Sequence, residues 1–379
     1  MTMSMPGDAV QSAATTGAEL VARPEHPTAG RPSRLRLAVL TRAGGTALRI
    51  LPKIPDRLKR VLLGGRRVTI DGNTLDTTLQ LMLTAQNSSG AGGLVASSDV
   101  TVARAHLTTL SQYLDPAIAV TTTDFTISGP AGPLRARHYQ PDVSGPAPML
   151  VFFHGGGFVV GGIESHDGLC RLISRDAGVQ VVSVEYRLAP ENPHPAPVED
   201  CYAALVWMVK NADELGFDPN RLALYGGSAG GGLVLGTALL ARDRGGPPVK
   251  FMMPIYPMID DTNTTPSSHE IVDVGIWDRE GNIEAWAWYI GDGKPDQYAA
   301  PTRAEDLTGL PPAFIDVGTV DLFRDEDIAF AQRLMHAGIP TELHIHDGAY
   351  HAAERFAPEA ALSLRIWAAR LDALRRALA

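Results

Sequence analysis

Apolar runs alternate with helical patterns along most of the chain after residue 119. Residues 120–129 and 133–141 alternate apolar and polar positions as half-buried strands do, and an apolar run at 147–157 ends in glycines. Strands alternating with helices predict the α/β class, with a mostly parallel central sheet and helices on both faces. The further strand-like runs lie at 179–188, 221–231, 249–257, 313–321 and 341–348, and the helical patterns at 165–177, 197–212, 230–242, 325–337 and 358–378.

The first 119 residues follow another pattern. Residues 1–33 are rich in Ala, Thr, Gly, Ser and Pro without an apolar period, which predicts a disordered tail. Residues 34–119 predict a basic helical N-terminal region and cap, with amphipathic helices at 76–86 and 99–114 joined by a flexible glycine-rich segment. This part of the chain is therefore expected to form a helical cap rather than strands of the sheet.

One α/β domain is expected to follow, over residues 120–379. Within it the segment 260–300 interrupts the alternation of strands and helices and carries Trp277, Trp286 and Trp288. We interpret this segment as an insertion that contributes to the cap.

Composition places the chain among ordinary globular proteins. Its 379 residues are 45% hydrophobic and 20% charged, and the net charge of −9 gives no electrostatic reason to bind nucleic acid. Cys170 and Cys201 are too few for a disulfide framework, and no Cys/His cluster has the spacing of metal ligands. The sequence shows neither a secretion signal nor a membrane span. We therefore expect a cytoplasmic protein without a metal or other cofactor.

One stretch departs strongly from this acidic balance. Residues 34–67 carry ten basic residues and a single acid, Asp56, which gives this stretch a net charge of +9. Leucines and isoleucines interleave with the charges, a pattern typical of amphipathic helices able to make weak contact with an anionic membrane surface. The simpler interpretation, which we favour, is that the charges form the solvated outer faces of helices packed on the body of the protein.

The segment Gly226-Gly227-Ser228-Ala229-Gly230 carries the first sign of chemistry. It follows a strand-like run and opens an apolar helix, so it has both the G-x-S-x-G pattern and the strand–turn–helix context of a nucleophile elbow. Gly226 and Gly230 are expected because side chains two residues from Ser228 would clash in so sharp a turn. Taken alone, the motif is equally compatible with an ordinary glycine-rich turn.

A second motif, His154-Gly155-Gly156-Gly157, lies upstream and directly follows an apolar strand. In this HGGG pattern the backbone N–H groups bind the oxyanion of acyl transfer. A flexible turn would explain the glycines alone, but HGGG upstream of G-x-S-x-G is much more specific than either motif. We expect Gly156, Gly157 and Ala229 to form the oxyanion hole, while His154 shapes the loop.

Through these motifs the chain resembles the bacterial hormone-sensitive lipase family of α/β-hydrolase esterases. The likeness also includes EYRLAPENPHPAPVED at 185–200 and DLFRDE at 321–326, and it spans about the last two thirds of the chain. The resemblance implies an α/β-hydrolase fold and a catalytic triad of Ser, Asp and His in that chain order. Matched to the family's motifs, these roles fall on Ser228, Asp321 and His351.

The positions of the acidic residues agree with this assignment. Asp321 lies just past an apolar strand, at the carboxyl edge of the sheet where open α/β folds build their sites, whereas Asp316 lies within the strand. Asp325 and Glu326 begin the next helix, where carboxylates commonly stabilise the helix N-terminus. We therefore prefer Asp321 as the acid.

Three histidines near the last predicted strand are candidates for the base. His344 and His346 share one face of a predicted strand, whereas His351 lies in the loop that follows it. A loop histidine is free to reach the serine, so we prefer His351.

Two positions depart from the family's pattern. The family usually has Asp or Thr before the nucleophile, where this chain has Gly227, and the usual HGF after the catalytic His is here His351-Ala352-Ala353. Neither change removes the Ser–His chemistry. Both bear on the local shape of the pocket and hence on the preferred substrate.

The leading hypothesis is a serine carboxylesterase acting on small-molecule esters of short to medium chain length. A non-catalytic receptor of the same fold would bind a small hydrophobic ligand beneath the cap, but it would not need a complete Ser/Asp/His set. A lipase acting on longer acyl chains would need a wide apolar mouth, and a peptidase would be expected to carry a large extra domain. The sequence leaves homo-oligomerisation open.

Overall fold

The structure, a computed structural model, describes residues 51–88 and 118–379 apart from 144 and 146, together with 100, 101, 103, 104 and 107, which are helical. The predicted tail, the first half of the basic stretch and most of the predicted helix at 99–114 lie outside the described residues. Membrane contact through the basic stretch therefore stays a prediction.

The described strands form one large sheet and one small hairpin. The strands are β1 (Thr69–Ile70), β2 (Asn73–Thr74), β3 (Thr121–Gly129), β4 (Gly132–Gln140), β5 (Met149–Phe153), β6 (Gln180–Val184), β7 (Leu222–Gly227), β8 (Phe251–Ile255), β9 (Ala313–Val320) and β10 (Thr341–Tyr350). The large sheet has the order β10-β9-β8-β7-β5-β6-β4-β3, and β1 pairs with β2. Strands β5 to β10 pair in parallel, whereas β3 pairs with β4 and β4 with β6 in antiparallel fashion. The predicted mostly parallel sheet is confirmed.

Eleven α-helices have bounds within the described residues. They are α1 (Asp56–Leu62), α2 (Thr77–Ser88), α3 (Asp167–Ala177), α4 (Ala196–Lys210), α5 (Ala212–Leu215), α6 (Ala229–Asp243), α7 (Pro266–Glu270), α8 (Arg279–Ile290), α9 (Arg324–His336), α10 (Ala353–Phe356) and α11 (Ala361–Leu378). Short 3-10 turns occur at Leu51–Lys53, Glu164–His166, Pro219–Arg221 and Pro301–Arg303. In the part of the chain that the structure covers, no helix is long and apolar enough to cross a bilayer.

Helices lie on both faces of the sheet because the chain changes direction across it. From β5 it moves through α3 to β6, and it then crosses back through α4 to β7 and onward to β10. Since crossovers between parallel strands are right-handed, α3 lies on one face and α4, α6 and α9 lie on the other. Helix α11 contacts α3 and β10, which places it on the face of α3.

The central strands are buried along their whole length. Every residue of β5, β6 and β8 is buried, which follows from the cover of helices on both faces. This explains why these strands read as continuous apolar runs rather than as alternating patterns. Burial of this apolar surface is the main source of the stability of the sheet.

Most elements lie within three residues of their predicted bounds, and the differences have simple causes. Strand β10 runs two residues beyond its predicted end, to Tyr350. The hairpin of β1 and β2 and helix α10 were not predicted, because elements of two to four residues are too short to show a period. The insertion 260–300 contains α7 and α8.

In the described end of the basic stretch five of the six basic residues are exposed, as the favoured interpretation expects, and Lys59 is the exception. Helix α1 buries Lys59, whose Nζ donates to Thr78 Oγ1 at 2.8 Å, and it exposes Leu58, Val61 and Leu62. Helix α2 contacts α1, β10 and α10. The segment 51–88 therefore packs beside the β10 edge of the sheet.

The connections of the sheet create a crevice at the ends of β5 and β7. These two strands are neighbours although the chain visits β6 between them, so the strand order reverses at this point. Open α/β sheets bind ligands at the carboxyl ends of strands at such a reversal. The HGGG segment leaves β5 here, and Ser228 leaves β7.

Candidate active site

Ser228 occupies the turn between β7 and α6 in a strained conformation. Its φ of 59° and ψ of −125° are unusual for a residue with a side chain. The backbone around it is tied to the strand on one side, because Ser228 N–H donates to Ile255 O at 2.9 Å and Met258 N–H donates to Ser228 O at 3.0 Å. These bonds hold a conformation that the serine would not adopt alone.

The glycines that flank the serine are required by close backbone approach. A Cβ on Gly226 would lie 2.3 Å from Gly230 O, and a Cβ on Gly230 would lie 2.1 Å from Phe153 O. Neither position has space for a side chain. Backbone crowding therefore requires glycine at both positions of the motif, as expected from the sharp turn.

Asp321, His351 and Ser228 lie in a continuous hydrogen-bonded row. His351 Nε2 is 3.0 Å from Ser228 Oγ, and His351 Nδ1 is 3.0 Å from Asp321 Oδ2 and 3.2 Å from Oδ1. Asp321 Oδ1 also accepts from the N–H of Phe323 at 3.1 Å. Asp321 is 1% exposed, His351 3% and Ser228 7%, so the row is nearly closed to water. This arrangement can move a proton from the serine to the imidazole.

Two aromatic rings meet the imidazole of His351. The Tyr256 ring lies 4.7 Å away at an interplanar angle of 68°, and the Phe323 ring lies 5.0 Å away at 81°. Both contacts are edge-on, an arrangement that aromatic rings prefer. They restrict rotation of the imidazole about the bond that carries it.

The alternative acids and bases have other partners. Asp316 Oδ2 accepts from Arg370 Nε at 2.7 Å, and Asp325 Oδ2 accepts from the N–H of Ser267 at 2.7 Å. His346 lies against Asp316, with 3.2 Å between Nε2 and Oδ2.

The remaining candidates are engaged in the same way. His344 Nε2 lies 2.7 Å from Glu342 Oε1, and Glu326 Oε1 accepts from the N–H of Ile259 at 3.0 Å. Of the acids and histidines weighed from sequence, the structure brings only Asp321 and His351 to the serine.

The predicted oxyanion donors lie just after the end of β5 and at the start of α6. Within the described residues, the backbone N–H groups of Gly156, Gly157 and Ala229 donate to no acceptor of the protein. Gly155 lies against the elbow, since a Cβ there would be 2.7 Å from Gly227 O. Free N–H groups beside a nucleophile are suited to bind an anion.

His154 is packed inside the oxyanion loop rather than aimed at the cavity. Its imidazole stacks on the Tyr186 ring at 4.1 Å, its Nδ1 is 3.0 Å from Gly155 O, and Tyr186 Oη donates to His154 O at 2.6 Å. Burial lowers the pKa of His154 to about 4, so this imidazole is neutral at pH 7. These contacts fit a residue that shapes the loop.

The cavity above Ser228 is mainly apolar. Leu107 and the insertion residues Ile276 and Trp277 contribute to its lining, and no described residue of 51–88 does. Trp277 also packs over Gly157, since a Cβ there would meet its ring carbon Cη2 at 2.4 Å. The predicted insertion therefore reaches the oxyanion loop, whereas α2 does not reach the cavity.

Several residues of the site carry no sequence motif. Tyr256 Oη donates to Glu354 Oε1 at 2.7 Å, and Arg370 Nη1 donates to the same oxygen at 2.8 Å. His166 also lines the cavity, and burial together with the charge of Arg355 holds its pKa well below the ordinary value. Of these residues, only Arg370 could have been identified from sequence, because it lies on the apolar stripe of α11. Among the described residues, no group of three or more His, Cys, Asp and Glu is arranged to hold a metal.

The chain is similar to known proteins over most of its length. A family model described as alpha/beta hydrolase fold matches residues 150–355. The chain is 44% identical over 306 residues to the carboxylic ester hydrolase LipN of Mycobacterium tuberculosis, covering 78% of this chain and 81% of LipN. It is 40% identical over 246 residues to the carboxylesterase NlhH of the same organism, covering 64% and 77%. A solved structure titled bacterial heroin esterase shares 40% identity and a TM-score of 0.76, covering 80% of this chain and 98% of that one.

Proposed function

This chain belongs to the alpha/beta hydrolase fold family, within it to the bacterial hormone-sensitive lipase group, and is a carboxylic ester hydrolase. From that premise we propose that it cleaves short- to medium-chain esters through an acyl-enzyme on Ser228. One observation carries the proposal: His351 lies 3.0 Å from Ser228 Oγ and 3.0 Å from Asp321 Oδ2. Such a row supplies a nucleophile, its base and the group that orients the base.

The first step transfers the proton of Ser228 to His351. As Ser228 Oγ attacks the carbonyl carbon of the ester, His351 Nε2 accepts the proton. Asp321 accepts a hydrogen bond from Nδ1–H, which fixes the required tautomer and stabilises the imidazolium that forms. The carbonyl oxygen, now negatively charged, is bound by the N–H groups of Gly156, Gly157 and Ala229.

The second half of the reaction returns the proton. The bond from carbon to the alcohol oxygen breaks as His351 gives its proton to that oxygen, and the acyl group stays on Ser228. A water molecule that His351 deprotonates then attacks the acyl carbon. The carboxylic acid leaves, and the proton returns to Ser228 Oγ.

The proposed preference for short to medium acyl groups rests on the cover over the cavity. Leu107, Ile276 and Trp277 line it from the cap side, and Phe356 and Leu169 add to its apolar lining. An apolar pocket binds the acyl chain, and we expect the size of this pocket to limit the length of that chain. A series of p-nitrophenyl esters from acetate to palmitate tests this: kcat/KM should be highest at short to medium lengths, and a maximum at palmitate would indicate a lipase.

Ser228→Ala tests the nucleophile. We expect kcat for p-nitrophenyl esters to fall by about a million-fold, the loss measured when a serine hydrolase lacks its nucleophile. Ser183→Ala is the matched control, because Ser183 is a buried serine of β6 whose hydroxyl has no partner among the described residues. A Ser228→Ala protein with a tenth of the wild-type turnover would contradict the mechanism. A wild-type protein that binds esters without hydrolysing them would indicate a receptor.

Asp321→Asn tests the acid. Since an amide stabilises the wrong tautomer of His351, we expect kcat to fall by about four orders of magnitude. Asp325→Asn should cost far less, because Asp325 bonds to Ser267 of the insertion and not to the imidazole. The reverse ranking of the two variants would assign the acid to Asp325.

A further inference from the structure

Tyr256 holds an unusual position behind the catalytic imidazole. It directly follows β8 and has a φ of 34°, which is rare for a bulky residue. Its N–H donates to Asp316 O in β9 at 2.7 Å. Such a backbone conformation persists only where the surrounding structure holds the residue in place. The side chain of Tyr256 makes several contacts that hold it.

The ring is fixed through its hydroxyl and through one face. Tyr256 Oη donates to Glu354 Oε1 at 2.7 Å, and Arg370 Nη1 donates to the same oxygen at 2.8 Å. The guanidinium carbon of Arg370 also lies 5.3 Å from the centroid of the Tyr256 ring. Burial raises the pKa of Tyr256 well above its ordinary value, so the hydroxyl remains a donor. These contacts fix the orientation of the ring, which is inclined at 68° to the imidazole of His351.

Gly227 provides the space that this ring occupies. A Cβ at position 227 would lie 3.1 Å from Tyr256 Cε2 and 3.4 Å from Tyr256 Oη, and the first of these contacts is tight enough that the ring would have to shift by a few tenths of an ångström. The backbone of Gly227 does not have a positive φ, so a side chain here would be opposed by the Tyr256 ring and not by the turn.

We propose that Tyr256, oriented by Glu354 and Arg370, is a positioning residue that holds the imidazole of His351 against Ser228, and that Gly227 keeps its space open. The inference rests on the proposed role of His351 as base. The rings of Tyr256 and Phe323 both contact the imidazole, at centroid distances of 4.7 and 5.0 Å. Rotation of the imidazole would lengthen the 3.0 Å contact with the serine, and displacements of about 1 Å cost about a hundredfold in rate.

The first test compares two buried tyrosines that lie next to the base. Tyr256→Phe keeps the ring but removes the bond to Glu354, and we expect kcat to fall by about tenfold with KM within about twofold. Tyr350→Phe is the matched control, because the buried hydroxyl of Tyr350 has no partner among the described residues. It should leave both constants unchanged. Equal kinetic constants for Tyr256→Phe and the wild type would overturn the proposal.

The second test uses the steric coupling between positions 227 and 256. Gly227→Ala should lower kcat by about tenfold because its methyl group displaces the ring, and Tyr256→Leu should lower it by up to about a hundredfold. The double variant should be no slower than Tyr256→Leu, since contacting residues are not additive. If the two losses multiply, Gly227 does not act through Tyr256 and the proposal is wrong.

These outcomes can be separated from failure of the proposed function. His351→Ala is measured in the same assay and should abolish turnover. If it does so while Tyr256→Phe is silent, the positioning role fails and the triad stands. If His351→Ala remains active, the triad itself is wrong. The midpoint of thermal unfolding of each variant, measured in parallel, separates a kinetic defect from loss of folded protein.

Discussion

Two groups of buried acidic side chains lie on opposite faces of the sheet, and they differ in how their charge is compensated. On the α11 face, Arg370 donates to Asp316 at 2.7 and 3.0 Å and to Glu354 at 2.8 Å. Burial alone would raise the pKa of Asp316. The charge of Arg370, with hydrogen bonds from Arg370 and His346, outweighs burial and holds that pKa below its ordinary value.

On the α9 face no cation offsets the buried acids among the contacts described. Glu326 Oε1 accepts from backbone N–H groups, but its Oε2 and both carboxylate oxygens of Asp327 have no hydrogen-bond partner in the described residues. Burial raises the pKa of both carboxyls well above the ordinary value, and the neighbouring acids, including Asp321, raise it further. These two groups therefore tend to keep their protons.

The difference shows two ways in which a carboxyl group can be buried in this fold. Arg370 holds the pKa of Asp316 below its ordinary value. Arg370 also donates to Glu354, which accepts the hydrogen bond of Tyr256. An unpaired carboxyl group, as on α9, stays protonated and adds little negative charge next to Asp321. The contributions of the two groups to the free energy of unfolding should therefore change in opposite directions as pH rises.

The largest effect is expected from Arg370→Met, which removes the cation but keeps much of the side-chain volume. Breaking a buried ion pair from one side leaves uncompensated charges, so the free energy of unfolding at pH 7 should fall by about 3–5 kcal/mol. Denaturant titration measures it. A loss below about 1 kcal/mol would mean that Arg370 does not hold this group together.

Asp327→Asn tests the unpaired group through pH. The folded pKa of Asp327 exceeds its unfolded pKa, so above about pH 4 the folded state binds more protons than the unfolded state and the wild type loses stability as pH rises. The amide does not titrate. The stability of the variant relative to wild type should therefore increase by about 1.4 kcal/mol per pH unit until the folded pKa is reached.

Asp316→Asn is the control for that experiment because its sign is opposite. The folded pKa of Asp316 is depressed, so its charge stabilises the fold above the unfolded pKa and this contribution is lost as pH falls through the folded pKa. The variant should be less stable than wild type at pH 7, and the difference should shrink in acid. Equal pH dependence of the two Asn variants would remove the distinction between the groups.

Sequence could identify the residues of the proposed mechanism because they sit in motifs at strand ends. Ser228, Asp321 and His351 each follow a strand, and local patterns located those strands to within a few residues. The fold class followed from the same alternation. The cap was harder to predict. The tryptophans drew attention to the insertion 260–300, but α2, which was expected to belong to the cap, packs beside β10.

The residues behind the imidazole could not be found in this way. Tyr256 lies 98 residues before Glu354, and Glu354 and Arg370 lie on the successive helices α10 and α11 without a recognised motif. One signal was present: Arg370 lies four residues from both Ile366 and Leu374, which are buried, so it occupies the apolar stripe of α11. A charge at such a position predicts a buried partner but does not say which acid supplies it.

The smallest effect is expected from Arg376→Met, which separates burial from pairing. Arg376 lies on the same helix as Arg370 and also pairs with two carboxylates, Glu342 at 2.7 Å and Asp372 at 2.7 Å. Its side chain is 56% exposed, against 1% for Arg370. Solvent and salt screen exposed pairs, so the change in unfolding free energy should be at most about 1 kcal/mol and should vanish in high salt. If Arg376→Met destabilised the protein as much as Arg370→Met, the number of ion pairs rather than their burial would set the stability of this face.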